Sequence, residues 1–369
     1  MRILIDNSNL FAGGGIQVAT SFIIDLQFIK DNNEYHVIQS ENSSKQIDTS
    51  LFDERFVFYS LSKECNTSIR SRSNEVKNIE NLIKPNVIFT VFGPSYHKSN
   101  FPKVVGFAIP HIIYPKSPFF STLTWLGKKK IELISMIKSY FFKKNSDALI
   151  FESDDGREVY SRRIGNTVPC YTVSNTVNTI FLSPELWAEI SITKSEFDIL
   201  YLTANYAHKN LNIIPQVIDH LLNNSELKNF RFHLSVNKDE VLFEDKYDKY
   251  INYLGKVDIK QVPMLYEKMD VLFMPTLLEV FSTSYLEAMI SNIPIVASDM
   301  SFARDVCNDS AFYANPMDAS DYALKIVQLY QDRDLYDNLV EKGKVNLQRF
   351  GTSMDRTKQY LYILKKYAI

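Results

Sequence analysis

Two carboxylates, one lysine and one run of glycines are the residues in this chain whose types and spacing could do chemistry. Glu279 and Glu287 lie eight positions apart in Asp270-Val-Leu-Phe-Met-Pro-Thr-Leu-Leu-Glu279-Val-Phe-Ser-Thr-Ser-Tyr-Leu-Glu287. The apolar run to Pro275 reads as a buried strand, and a helix is predicted to begin near Ser282–Ser284. One carboxylate therefore falls on a loop at a strand's carboxyl end and the other in the first turn of a helix. Ser284-Tyr-Leu-Glu287 also fits a capping box, which would give Glu287 a structural task. Nothing local asks for a carboxylate at Glu279. Lys209, in Thr203-Ala-Asn-Tyr-Ala-His-Lys209-Asn, sits between a strand and the helix predicted over 210–222. A cation at a helix N-terminus works against the dipole by ~0.3–1 kcal/mol, and an anion bound between them reverses that sign. His208 beside it is either a polar contact or a surface residue.

Gly13, Gly14 and Gly15 stand together in a chain with only 11 glycines in 369 residues, about 3% against a usual ~7%. They follow a first strand and precede Ile16, Ala19, Phe22, Ile23 and Leu26, which have helical spacing. Bare backbone at a helix start offers N–H groups and a positive dipole end to an anion. The run is neither a GxGxxG fingerprint nor a phosphate-binding loop ending in Gly-Lys-Ser/Thr.

The elements that must position these residues are short apolar runs separated by amphipathic segments, from Arg2–Asp6 to Ala148–Phe151 and again from Ile199–Thr203 to Phe312–Tyr313. That alternation predicts α/β architecture with two parallel sheets and ligands at the strands' carboxyl ends. A boundary is expected near 181–196, giving domains 1–182 and 183–351, with a final helix over 352–369 that could pack back on the first domain. Lys plus Arg is 41 against Asp plus Glu 43, a net charge of −2, which argues against nucleic acid as a partner. Three scattered cysteines without CxxC suggest a reducing compartment and no zinc module. No stretch of about 18 apolar residues suggests a spanning helix. Asp332-Arg-Asp334, the one literal DxD, reads as solvated surface. Residues 116–144 hold seven lysines and one acid, Glu132, leaving that segment at +6 and the remainder at −8. Phe119, Phe120, Trp125, Leu126, Ile131 and others interleave with the lysines. Trp125, Lys128, Lys129 and Lys130 are accordingly candidates for contact with an anionic membrane surface. The alternative is a helix packed on the sheet with a solvated basic face.

The segment from Gly255 to about Tyr330 resembles the nucleotide-binding domain of retaining glycosyltransferases of family four. Glu279 and Glu287 match that family's E-x7-E motif. Tyr266 with Asp270, Met274-Pro-Thr, Leu286-Glu-Ala-Met, Ile293-Pro-Ile-Val and Ala297-Ser-Asp match its flanks. Lys209-Asn210, the Asn175…Phe181 segment, His111 and Gly14–Gly15 resemble further family positions. The resemblance implies a GT-B fold, two Rossmann-like parallel-sheet domains facing an inter-domain cleft. It implies transfer of a sugar, with retention, from a nucleoside diphosphate sugar to a saccharide or lipid-linked acceptor. Surface polysaccharide synthesis (O-antigen or capsule) at the cytoplasmic membrane face is the setting it suggests. Glu287 would hold the ribose and Glu279 would contact the donor sugar. Lys209, with backbone N–H groups around Phe281, Ser282 and Thr283 and those of Gly14 and Gly15, would neutralise the diphosphate. His111 would approach the sugar. No cofactor is implied, the nucleotide sugar being a substrate, and no metal is needed where the lysine and helix dipoles carry the phosphate charge. The chain departs from the family at Val280 and Ser282, where glycines are usual, and at Ala204, Thr176 and Ile112. Two other readings are a non-catalytic nucleotide-sugar binder on the same fold and a dinucleotide-dependent oxidoreductase. The latter lacks its fingerprint and an acid at the end of the second strand near Gln39.

Overall fold

Thirteen short strands carry the architecture of the computed structural model, which describes residues 1–11, 13–165 and 167–369. The chain divides into two units. The first comprises Met1–Ile113, Trp125–Asn175 and Gly351–Ile369, and the second Tyr114–Thr124 and Thr176–Phe350.

In the first unit, β1 (Arg2–Asn7), β2 (Glu34–Gln39), β3 (Phe56–Ser60), β4 (Val87–Thr90), β5 (Lys103–Phe107), β6 (Ala148–Phe151) and β7 (Cys170–Thr172) form one sheet. Its order is β3-β2-β1-β4-β5-β6-β7, with every pair parallel. Alternation along β1 sends Ile3 and Ile5 to one face and Leu4 to the other. Ile3 and Ile5 pack with Phe22 and Ile23 of helix Gly14–Gln27 and with Tyr360 and Leu364 of helix Ser353–Tyr367. Leu4 packs with Val76 and Ile83 of helix Ile69–Ile83. Burial on both faces is why these strands read as unbroken apolar runs. The last helix is held within this unit by polar contacts as well. Ser353 and Thr357 donate to the Asp25 carboxylate at 3.2 and 3.0 Å, and Arg356 donates to Asn175 and Ser21. Burial nonetheless leaves the Asp25 pKa raised. Gly106 in β5 is required by close approach, since a Cβ there would meet the Val91 carbonyl oxygen at 1.8 Å.

In the second unit, β8 (Phe197–Tyr201), β9 (Phe230–Leu234), β10 (Ile251–Tyr253), β11 (Val271–Met274), β12 (Ile295–Ser298) and β13 (Ala311–Ala314) form a sheet of order β10-β9-β8-β11-β12-β13. All its pairs are parallel. The chain winds outward in one direction from β8 and in the other from β11, so the crevice at their carboxyl ends is the switch point of the sheet.

The helix predicted over 210–222 begins later. Asn210 adopts φ 57°, a 3-10 turn covers Leu211–Ile213, and the α-helix runs Ile214–Asn224. Pro215 explains the shift, because its ring is accepted in the first turn and disrupts an interior. The strand read over Val104–Ile109 stops at Phe107, before the helical turn Pro110–Ile113.

Candidate functional site

Lys209 and Glu279 meet at the switch point of the second unit. Lys209 ends a 3-10 turn, Ala207–Lys209, six residues past β8. Glu279 lies on the loop between β11 and helix Thr283–Ile290. The Lys209 ammonium donates to the Glu279 carboxylate, and their side chains are 16% and 19% exposed. The two loops are fastened to each other. The Tyr201 hydroxyl, at the end of β8, donates to the Lys209 carbonyl at 2.6 Å and lies 3.2 Å from the Thr276 hydroxyl. The Leu277 N–H donates to the His208 carbonyl at 2.8 Å. Burial works against the Lys209 ammonium, but the Glu279 carboxylate outweighs it and holds the lysine pKa up. The His208 pKa is pushed down, first by burial and then by the Lys209 charge, which favours the neutral ring.

Glu287 is buried, 7% exposed, on helix Thr283–Ile290. The capping box, the alternative reading of Ser284 and Glu287, does not form. The N-cap is Ser282, without a side-chain bond, so Ser284 lies inside the helix and Glu287 two residues beyond the position a capping box needs. The Glu287 carboxylate instead accepts from the Tyr266 hydroxyl at 3.1 Å. Burial raises its pKa against the hydrogen bonds from Thr283 and Tyr266. A buried carboxylate without a cationic partner is costly, and groups so perturbed cluster where ligands bind. Ser282 and Thr283 are half-buried at the start of the same helix, whose first-turn N–H groups lack intrahelical partners. Val280 is buried, at 2% exposed, so its side chain turns inward.

The sequence reading missed a strap over this site. Residues 114–124 pack in the second unit. There the Ser117 hydroxyl donates to the Leu277 carbonyl at 2.5 Å. The Phe119 ring meets His208 edge-on at 6.1 Å, and His208 stacks with Tyr206 at 5.6 Å. Two aromatics and a serine after a proline-containing stretch were the available signal, and it was absorbed into the basic segment.

That segment therefore divides. Helix Trp125–Lys144 belongs to the first unit, and Phe142 is its one fully buried residue. Leu126, Leu133, Met136, Ile137 and Tyr140 are exposed at helical spacing, and Lys129 and Lys130 share that face. Trp125 is exposed at the helix start. Lys128 is half-buried, and Lys129 pairs with Glu132 at 2.7 Å. Among the described residues no helix is long and apolar enough to cross a membrane.

The remaining candidates lie along the carboxyl edge of the first sheet. Gly13 has φ 77° and precedes helix Gly14–Gln27, so Gly14 and Gly15 are its first residues. A Cβ on Gly15 would sit 3.2 Å from Phe92. His111 lies in the helical turn after β5. At this edge Asn7 and Gln39, register partners at the ends of β1 and β2, are 1% and 2% exposed. Both amide atoms of Asn7 and the Gln39 amide nitrogen have no hydrogen-bond partner among the described residues. Asp332 of the DxD caps helix Arg333–Leu347 by accepting from the Leu335 N–H at 2.9 Å.

Residues 196–332 match the family model described as glycosyl transferases group 1. A curated relative, O-antigen chain mannosyltransferase B of Escherichia coli, is 28% identical over 102 residues, 28% of this chain and 27% of that one. The chain thus aligns with about a quarter of that relative's length. Two solved structures are similar over the whole chain. Sucrose-phosphate synthase of Thermosynechococcus elongatus has TM-score 0.74 at 13% identity, covering 99% of this chain and 98% of that one. Anabaena HepE in complex with UDP and glucose has TM-score 0.70 at 12% identity, covering 99% and 100%. The chain resembles glycosyltransferases of family four, and its two Rossmann-like parallel-sheet units have the GT-B fold.

Proposed function

We propose that this chain, built as a GT-B glycosyltransferase, moves a sugar from a nucleoside diphosphate sugar to a saccharide or lipid-linked acceptor during assembly of a bacterial surface polysaccharide. The observation that carries the reading is the Lys209–Glu279 pair at the switch point of the second sheet, with the buried carboxylate of Glu287 on the helix that follows. Support comes from the group 1 match over these residues, from the O-antigen mannosyltransferase relative, and from UDP and glucose in the HepE structure.

In this reading Glu287 accepts hydrogen bonds from the ribose hydroxyls. Lys209 and the N–H groups at Ser282 and Thr283 stabilise the charge that grows on the leaving diphosphate. Glu279 faces the donor sugar, whose reacting carbon becomes oxocarbenium-like and is favoured by a nearby carboxylate. Gly14, Gly15 and His111 act from the first unit, on diphosphate and sugar respectively. Transfer proceeds with retention and without a metal ion, the lysine and helix N–H groups neutralising the phosphates. Exposed apolar and basic side chains on helix Trp125–Lys144 hold the protein to the anionic inner face of the cell membrane. Gln39 closes β2 where a dinucleotide enzyme would place an acid for the ribose.

Glu279→Gln tests the reading. It is expected to abolish transfer from UDP- or GDP-sugars while the protein stays folded by circular dichroism, and the wild-type product is expected to keep the donor's anomeric configuration by NMR. Near-normal turnover by the variant refutes the role of Glu279.

A further inference from the structure

We propose that Glu279 competes with phosphate for Lys209: its carboxylate is an internal stand-in for the donor's diphosphate, which displaces it and so frees it toward the sugar. The inference rests on the proposed nucleotide-sugar site and adds an order of events to it.

Three features of the second unit carry it. First, the ion pair joins loops of adjacent strands, β8 and β11, where a phosphate is expected. Among the described residues Glu279 is the one acidic group in ion-pair contact with Lys209. Second, the main chain around Glu279 is held while its side chain reaches solvent. The Leu277 N–H is bound to His208 and its carbonyl to Ser117. Leu277, Leu278 and Val280 are buried, whereas the Glu279 side chain is 19% exposed. Rotation of one side chain therefore suffices to exchange partners. Third, a lysine this enclosed needs an anion, because burial alone would favour the neutral amine. Glu279 keeps the ammonium charged and placed. A diphosphate brings more negative charge than a carboxylate and also accepts from the helix N–H groups near Ser282 and Thr283. It can displace the glutamate, at the expense of some affinity.

The consequence is that a variant unable to transfer sugar binds nucleotide more tightly. UDP and GDP are titrated calorimetrically into wild type, Glu279→Gln, Lys209→Met and the double variant. For whichever nucleotide the wild type binds, Glu279→Gln is expected to tighten binding at least fivefold and to steepen its salt dependence. Lys209→Met is expected to weaken binding at least tenfold, and the double variant to match Lys209→Met. Should Glu279→Gln not fold, Glu279→Ser removes the same charge, with the same tightening expected. Unchanged or weaker binding by the charge-removed variant overturns the competition and leaves the site reading intact. A wild type that binds neither nucleotide overturns the site reading, and this inference with it.

Discussion

Tyr266 donates to Glu287 at 3.1 Å, and no lysine or arginine lies within ion-pair distance of that carboxylate among the described residues. The glutamate is thus buried with hydroxyl partners only, and its pKa is raised above the ordinary 4.5. The folded protein therefore holds this proton more tightly than the unfolded chain. Stability falls as pH rises from about 4.5 through the raised value. Glu287→Gln keeps an acceptor for Tyr266 and has no charge to desolvate. It is expected to be more stable than wild type at pH 8, with the gap closing below pH 4.5. Urea denaturation at both pH values measures this, and a gap independent of pH refutes it. The proposed ribose contact predicts the accompanying loss, nucleotide binding weakened roughly tenfold.

The strands that frame this site were legible because each is an apolar run buried on both faces. Val271–Met274 and Ala148–Phe151 coincide with their sequence reading. Cys170–Thr172 escaped it, being three half-buried residues at a sheet edge. Lys209 and Glu279 were each legible as residues without a local structural reason. Their pairing, 70 positions apart, depends on β8 and β11 being neighbours. For Glu287 the sequence left a cap and a ribose contact both open, because Ser284-x-x-Glu287 fits a capping box and only the position of the N-cap at Ser282 excludes it. Asn7 and Gln39 gave no local signal. Their significance comes from register and burial.

Ser117 shows how a contact remote in sequence can govern the site. Its hydroxyl is the strap's hydrogen bond to Leu277, two residues before Glu279. Ser117→Ala leaves a buried carbonyl short of a donor, at about 1 kcal/mol, or a melting shift of roughly 2–4 °C for a unit of this size. Because the same loop holds the His208 carbonyl beside Lys209 and leads into the helix start at Ser282 and Thr283, UDP or GDP affinity is expected to fall several-fold, and Ser117→Thr is expected to restore it. A variant with lowered stability and unchanged nucleotide affinity assigns Ser117 to folding alone.

Helix Trp125–Lys144 yields the sharpest division among residues that the sequence treats alike. Lys128, Lys129 and Lys130 are consecutive, yet Lys128 is half-buried while Lys129 and Lys130 are exposed beside Leu126, Leu133 and Met136. The Lys129–Glu132 pair is solvent-exposed and gives little resistance to rearrangement. Each lysine near an anionic surface contributes about 1 kcal/mol. Lys129→Glu with Lys130→Glu is therefore expected to weaken sedimentation with phosphatidylglycerol-containing vesicles roughly 30-fold or more at low salt. Lys128→Glu is expected to change it less than Lys130→Glu. Leu133→Ser with Met136→Ser separates insertion from attraction. It should reduce binding that persists at high salt, where the electrostatic part is screened. Vesicle binding that survives the double charge reversal would leave this face without a membrane role, and equal effects of Lys128→Glu and Lys130→Glu would show that net charge, rather than the exposed stripe, directs the protein to the surface.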